Sequence, residues 1–306
     1  MAYSVSGLSN YTIENPDVLI WEKIYSEGDT LKLITNKQTG VKSAEKIAIL
    51  STRGYWQTQG CSFTASGDTT FTQASLIVGK VAVNMSFCER DLEPKYTQLK
   101  LQAGGNYTDM AFYNQIVDLV LANINADLET AIWKGDTALT GNPFLKHFDG
   151  LVKQINAASG TTTISGTAWS SANSRTVIQA INASVAANVD VYKAGTTLKY
   201  FMSPAMALDY RQKLITDNLY HINANTGGLV AEGTNIPIVE VAGLAGLNYI
   251  YAVETDNIYF GCDMLNEEEK VDFWMSKDDQ NMKLHIEFKA AVNVAFGTRC
   301  WQYLGV

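Results

Sequence analysis

The sequence contains no run of about 18 apolar residues, so it predicts no membrane-spanning helix. Its start, MAYSVSGLSNYTIEN, lacks the basic and apolar segments of a secretory signal peptide. The four cysteines lie far apart and form no CxxC pair: Cys61, Cys88, Cys262 and Cys300. That spacing argues against a zinc site and against a disulfide framework. We therefore expect a cytoplasmic protein with reduced, structural thiols.

The sequence also lacks any cluster of Lys and Arg. The formal net charge is −8, and residues 201–306 carry nearly all of the excess, with seven basic and fourteen acidic side chains. Proteins that wrap nucleic acid need clustered basic residues to neutralise the phosphates. This charge pattern argues against direct wrapping, so any relation to DNA is expected to be containment rather than adhesion.

Residues that would support catalysis are few and scattered. The three histidines, His147, His221 and His285, form no metal-binding pair on a helix face. No phosphate-binding loop, dinucleotide-binding glycine motif or nucleophile elbow occurs. The carboxylates at 267–269 and 278–279 stand in polar runs without an apolar pocket that would raise their pKa values. We expect no enzyme activity, no cofactor and no metal site, and we interpret these groups as surface residues.

Hydrophobic residues make up 46% of the chain and include many aromatics, which is typical of a folded protein with a large core. The strongest helical pattern runs from 110 to 133, where apolar residues recur at spacings of three and four. A second helix is predicted at 175–189, and the cap-plus-proline pairs Asn15-Pro16 and Ser203-Pro204 predict two more helix starts.

Short apolar or alternating segments predict strands between these helices. They are 31–34, 46–50, 81–87, 197–202 and 236–241. Alternation over fifteen positions, 282–296, exceeds the usual strand length, so this segment must bend or change partners along its course. Helices and strands in this order indicate an α+β protein.

The stretch GYWQTQGCSFTASGDTTFTQ, residues 54–73, has almost no charge and four large aromatics. A turn signal at 66–68 between its two halves predicts a long β-hairpin. An isolated two-stranded ribbon cannot bury its own aromatics, and the N-terminal arm with Trp21 has the same difficulty. We expect five residues to contact a neighbouring subunit: Trp21, Tyr55, Trp56, Phe63 and Phe71.

The order of these parts resembles the major capsid protein of tailed bacteriophages, whose fold is named after phage Hong Kong 97. The similarity covers essentially the whole chain. Its most specific segments are ANINADLETAIWKGD (122–136), FLKHFDGLVKQI (144–155), LKYFMSPAMALDYRQKL (198–214) and IPIVEV (236–241). Their order and spacing, rather than any one motif, carry the similarity.

The resemblance implies an N-terminal arm at 1–45 and a hairpin called the E-loop at 52–78. It implies a P-domain made of 79–140 and 255–306, with a spine helix at 110–133, and an A-domain at 145–254. These boundaries are expectations from the resemblance.

The resemblance also implies a structural protein that assembles as hexamers and pentamers into an icosahedral shell around double-stranded DNA. Its expected partners are copies of itself, a portal, a scaffolding protein and a decoration protein, and it would be assembled in the bacterial host cytoplasm as part of the virion capsid. Two alternatives stay open at this stage. One is an encapsulin-type shell that encloses cargo enzymes, and the other is an enzyme that uses a metal bound by scattered carboxylates.

Overall fold

The computed structural model describes residues 29–58, 67–87, 111–188, 197–217, 228–263, 271–279 and 281–305. In these ranges the helices are α1 (Asp29–Leu33), α2 (Ala111–Lys134), α3 (Leu151–Ala157), α4 (Ser174–Ala186) and α5 (Pro204–Thr216). The first strands are β1 (Asn36–Thr39), β2 (Ala44–Gly54), β3 (Gly67–Ile77), β4 (Gly79–Phe87), β5 (Thr162–Thr163) and β6 (Leu198–Met202). The later strands are β7 (Ile238–Glu240), β8 (Ile250–Glu254), β9 (Ile258–Cys262), β10 (Val271–Ser276), β11 (Asn281–Val294) and β12 (Cys300–Tyr303).

One five-stranded sheet is organised around β11. This strand pairs antiparallel with β10 over residues 281–286, with β4 over residues 282–290 and with β9 over its last five residues. β1 extends the sheet by pairing parallel with β9. The segment was predicted to bend or to change partners, and the second alternative is confirmed, because no single neighbour accompanies β11 along its whole length.

The long helix α2, which we call the spine helix, confirms the helix predicted at 110–133. Its inner face packs on the sheet through Val120, Ile124 and Leu128, all of which are buried. The helix stops at Lys134 because the next residues must approach another segment closely: the Gly135 amide bonds back to Ala131, and a side chain at Gly135 would collide with the Phe148 carbonyl. The end of the spine helix is therefore fixed by backbone packing.

A second five-stranded sheet has the order β5-β12-β8-β6-β7, and helices α4 and α5 pack on it. The α5 start confirms the cap-plus-proline prediction, since the Ser203 side chain accepts a hydrogen bond from the Met206 amide and Pro204 is the first helical residue. α4 and β6 confirm the segments predicted at 175–189 and 197–202 to within three residues at each end.

Trp133, at the end of the spine helix, packs on the second sheet. Its ring lies 5.3 Å from the ring of Phe201 on β6 and 5.8 Å from that of Tyr251 on β8, measured between centroids. All three side chains are fully buried. The contact makes the spine helix part of the core that both sheets share.

Two local predictions are wrong. Residues 31–34 were expected to form a strand, but Asp29–Leu33 is the short helix α1. A four-residue apolar run does not distinguish a strand from one helical turn. The turn expected at 66–68 does not occur there, because Gly54 pairs with Gly67 and β3 already begins at that glycine. The helix predicted after Asn15-Pro16 lies outside the described residues.

Candidate assembly surface

The β2–β3 hairpin has one face on the protein and one face in solvent. On the inner face, Ile47 and Ile49 of β2 and Leu76 of β3 are buried in a small core near the base of the hairpin. Side chains alternate between the two faces of a strand, so the residues directly before and after Ile47, Ile49 and Leu76 in the sequence point outward. Every outer-face side chain described, from 44 to 50 and from 67 to 77, is exposed.

The base of the hairpin is anchored to the first sheet. The Asn293 side chain on β11 donates a hydrogen bond to the Ser75 carbonyl at 2.8 Å. The two ends of the hairpin are joined by a hydrogen bond from the Val78 amide to the Ser43 carbonyl at 3.0 Å. Leu76 packs on β9 at Gly261, where an added Cβ would come within 2.5 Å of the leucine Cδ2. These contacts fix the direction in which the hairpin leaves the protein.

Large apolar side chains occupy the exposed outer face. Leu50 and Phe71 are directly paired across the strands and are 53% and 75% exposed. Ile77 is exposed at the base, and Tyr55 and Trp56 follow the end of β2, with Trp56 fully exposed at 102%. Exposed apolar groups that adjoin one another are typical of interaction surfaces.

Three of the five predicted contact residues therefore belong to the described hairpin and present their side chains outward: Tyr55, Trp56 and Phe71. Trp21 and Phe63 lie outside the described residues. Their contact with a neighbouring subunit remains a prediction for all five. The sequence reasoning missed Leu50 and Ile77, although alternation in KIAILST places Leu50 on the face opposite Ile47 and Ile49.

An open groove lies between β4, the spine helix and the segment 143–148. It encloses about 360 Å³ and is mostly apolar. Residues that line it include Val83, Ile124, Leu128, Phe144, Phe148 and Phe288. Asp127 also lines the groove, and partial burial raises the pKa of its carboxyl. No described residue donates a hydrogen bond to Asp127 or forms an ion pair with it.

The arm enters the protein through a buried polar contact. The Thr30 amide donates to the Glu129 carboxylate at 3.3 Å, and the Thr30 hydroxyl donates to the other carboxylate oxygen. The Trp133 indole donates to the Thr30 hydroxyl at 2.8 Å. Desolvation is the main reason why the pKa of Glu129 is raised. Helix α1 is thus held against the spine helix by hydrogen bonds.

No protein-family model matches the chain, and no curated protein matches it by sequence. Solved structures match it over its full length. A chain of the satellite phage P4 procapsid has a TM-score of 0.65 at 11% identity and covers 100% of this chain and 98% of that chain. A chain of Mycobacterium phage Bobi has a TM-score of 0.57 at 13% identity, covering 99% of both chains. A capsid chain of an empty GTA particle has a TM-score of 0.57 at 11% identity and covers 99% of this chain and 98% of that chain.

The chain has the Hong Kong 97-type capsid fold. The α+β class expected from the sequence is confirmed. The candidate site is a surface formed by the outer face of the hairpin and the groove beside the spine helix.

Three of the groups considered for catalysis have other partners. Asp279 forms an ion pair with Lys283, which lowers the pKa of the aspartate. His147 lies 2.9 Å from the Pro143 carbonyl, and His285 lies 2.9 Å from a Glu287 oxygen. His221 and residues 267–269 lie outside the described ranges.

Among the described residues of the capsid fold, no three His, Cys, Asp or Glu side chains are grouped so that they could hold a metal ion. Cys262 and Cys300 are buried thiols that form no disulfide with a described residue. Burial raises the pKa of the Cys300 thiol to about 12. None of the described helices is long and apolar enough to cross a membrane.

Proposed function

We propose that the chain is the major capsid protein of a tailed double-stranded DNA bacteriophage. It assembles as hexamers and pentamers into an icosahedral shell that encloses the packaged genome. The observation that carries the proposal is the fold, which it shares with phage capsid chains along essentially its whole length despite low sequence identity.

The hairpin supports this proposal independently of the comparisons. Its inner face is anchored at the base, while Leu50, Phe71 and Trp56 on its outer face and tip are exposed. Burying an aromatic side chain removes about 150–250 Å² from water. Contact with another subunit would bury this surface, so the subunit is more stable in an assembly than alone.

We propose the same division of the chain that the resemblance implies, with three additions from the strand pairing. β4, β9, β10 and β11 form the sheet of the P-domain together with the spine helix, and β1 joins this sheet. β6, β7 and β8 belong to the A-domain sheet, which β12 completes from the C-terminal part of the chain. The hairpin strands extend the E-loop back to Ala44.

The proposed partners are other copies of the chain, together with portal, scaffolding and decoration proteins. The proposed location is the virion capsid, after assembly in the host cytoplasm, and the proposed role is structural rather than enzymatic. The net charge of −8 suits a shell that encloses DNA without sequence-specific binding, since tight binding would need clustered basic residues.

Expression of the chain in bacteria, followed by sedimentation velocity and negative-stain microscopy, tests this proposal. We expect capsomers or closed particles. Monomers alone at high concentration would contradict it. Co-expression with the neighbouring phage genes separates a viral shell from a nanocompartment: a viral shell would contain nuclease-protected DNA, whereas a cargo enzyme inside the particles would favour the encapsulin alternative.

A further inference from the structure

We propose that the segment 145–150, which we call the brace, positions the hairpin relative to the spine helix of its own chain, and that Lys153 of α3 is the positioning residue that holds the brace closed. The inference rests on the proposed assembly function, because it concerns how a subunit directs its exposed hairpin. Three observations carry it: the passage of the brace between two glycines, its backbone hydrogen bonds, and a network of charged side chains.

The backbone of the brace passes between the base of the hairpin and the end of the spine helix. On one side lies Gly79, where the chain leaves the hairpin and enters β4. An added Cβ at Gly79 would lie 2.6 Å from the His147 carbonyl carbon and 3.1 Å from the Phe148 Cβ. On the other side lies Gly135, where an added Cβ would collide with the Phe148 carbonyl oxygen. The approach is this close because glycine has no Cβ.

Backbone hydrogen bonds join both ends of the brace to the residues that follow the spine helix. The Asp136 amide donates to the Leu145 carbonyl at 2.8 Å, and the Gly150 amide donates to the Gly135 carbonyl at 2.8 Å. Between these ends, the Phe148 side chain is buried in the core that includes the inner face of the spine helix. The brace therefore follows the position of the helix end.

Charged side chains close the brace on its outer side. The Lys153 Nζ lies 2.6 Å from an Asp136 oxygen and 2.8 Å from an Asp149 oxygen. The same Asp149 oxygen accepts hydrogen bonds from the Thr137 amide and hydroxyl, both at 2.8 Å. The hydrogen bond from Lys153 is the main reason why the pKa of Asp136 is lowered. One ammonium group thus bridges the residues after the spine helix and the brace, through hydrogen bonds that charge strengthens.

A small change at the base of the hairpin produces a large displacement at its far end. The paired strands run ten residues from the Ala44–Ile77 pair to the Gly54–Gly67 pair, which is about 34 Å at 3.4 Å per residue. A tilt of about 10° at the base would move the far end by about 6 Å over this length. Apolar side chains are in contact only within about 4.5 Å, so a loose base would weaken any contact made by the outer part of the hairpin.

Distance measurements between two spin labels on unassembled subunits test the positioning role. The labels are attached to ketone-bearing amino acids at Thr69, near the far end of the hairpin, and at Ala126 on the spine helix, both of which are exposed. We expect one narrow distance distribution in the native chain and in Lys153→Arg, which keeps the bridging charge, and its loss in Lys153→Ala. Lys146→Ala removes an exposed lysine of the brace itself and is the matched control, which should keep the narrow distribution.

The contact between the brace and the hairpin base is tested from the other side by Gly79→Ala. We expect the mean distance between the two labels to shift, because the added Cβ meets the backbone of His147 and the two segments must separate. Gly141→Ala, whose added Cβ meets no atom within 4 Å, is the control and should leave the distance unchanged. In Lys153→Ala, hydrogen exchange of the Gly150 amide should become about two- to fivefold faster, the effect typical of losing an exposed ion pair.

The outcomes separate this inference from the proposed function. Native distance distributions in both Lys153→Ala and Gly79→Ala would overturn the brace, and loss of the narrow distribution in Lys153→Arg as well would overturn the role of the charge. In assembly, Lys153→Ala should form fewer closed particles than Lys153→Arg, and equal yields would show that assembly does not depend on the brace. A native chain that never assembles would contradict the proposed function, while the distances in its subunits would still decide whether the brace positions the hairpin.

Discussion

Glu129 is a carboxyl group buried where α1 meets the spine helix, and its pKa is raised above the ordinary value of 4.5 mainly by desolvation. A raised carboxyl pKa means that the folded chain holds the proton more tightly than the unfolded chain. The stabilisation that protonation gives is therefore complete below the unfolded pKa and is lost as the pH rises through the folded pKa.

We expect the free energy of unfolding of the native chain to fall relative to that of Glu129→Gln as the pH rises from about 4.5 towards 8, because the glutamine does not ionise. Urea denaturation of unassembled subunits over this pH range measures the difference. Glu45→Gln, which changes an exposed carboxyl, shows the effect of charge removal at the surface. A difference between the native chain and Glu129→Gln that stays constant with pH would show that Glu129 does not titrate as described.

Gly243 touches the same part of the spine helix. A Cβ at this position would lie 2.5 Å from the Glu129 carbonyl oxygen and 2.6 Å from the Trp133 ring. We expect Gly243→Ala to lower the free energy of unfolding by about 1–3 kcal/mol, since neither the helix backbone nor the buried indole can move freely. Gly141→Ala is the control, because no atom lies within 4 Å of its added Cβ, and it should change stability by less than about 0.5 kcal/mol. Equal stabilities of the two variants would contradict this packing.

At the scale of elements, the hairpin divides into an anchored base and a projecting outer part. Ile49 and Thr72 are paired across the strands near the boundary between the two parts. We expect a variant in which Asn-Gly replaces residues 50–71 to fold and to melt within a few degrees of the native subunit, since it keeps Ile47, Ile49 and Leu76 and closes them with a favoured two-residue turn.

The same variant should form no particles, because the apolar outer face and the tip are gone. Circular dichroism and sedimentation velocity measure the two properties separately. Normal particles would show that the hairpin is not needed for assembly, and an unfolded subunit would show that its outer part belongs to the core of its own chain.

Strong periodic patterns explain which elements were predictable. The spine helix and β11 were found because their apolar spacing persists over 24 and 14 residues, long enough to outweigh local ambiguity. α1 was missed because a single turn has no such pattern. The hairpin was expected, but its register follows the alternation that begins near Ala44 rather than the glycine and serine signals at 66–68.

The candidate surface was predictable in part for a similar reason. Uncharged aromatics in a hairpin stand out in a linear sequence. The groove does not, because β4, the spine helix and the segment 143–148 come together only in the fold. The Thr30–Glu129 contact joins residues 99 positions apart and has no local signal.

At the scale of the whole molecule, the spine helix lies against both sheets. One side of it packs on the sheet that anchors the hairpin, and its end packs on the second sheet through Trp133. The same helix holds α1 through Glu129. Assembly would use this shared core as its rigid frame.

A cryo-electron microscopy reconstruction of particles formed by the chain tests the central claim most directly. The account predicts a closed shell in which Leu50, Trp56 and Phe71 each lie within about 4.5 Å of another copy, the distance at which apolar side chains are in contact. A closed shell in which these three side chains face solvent or pack on their own chain would contradict it.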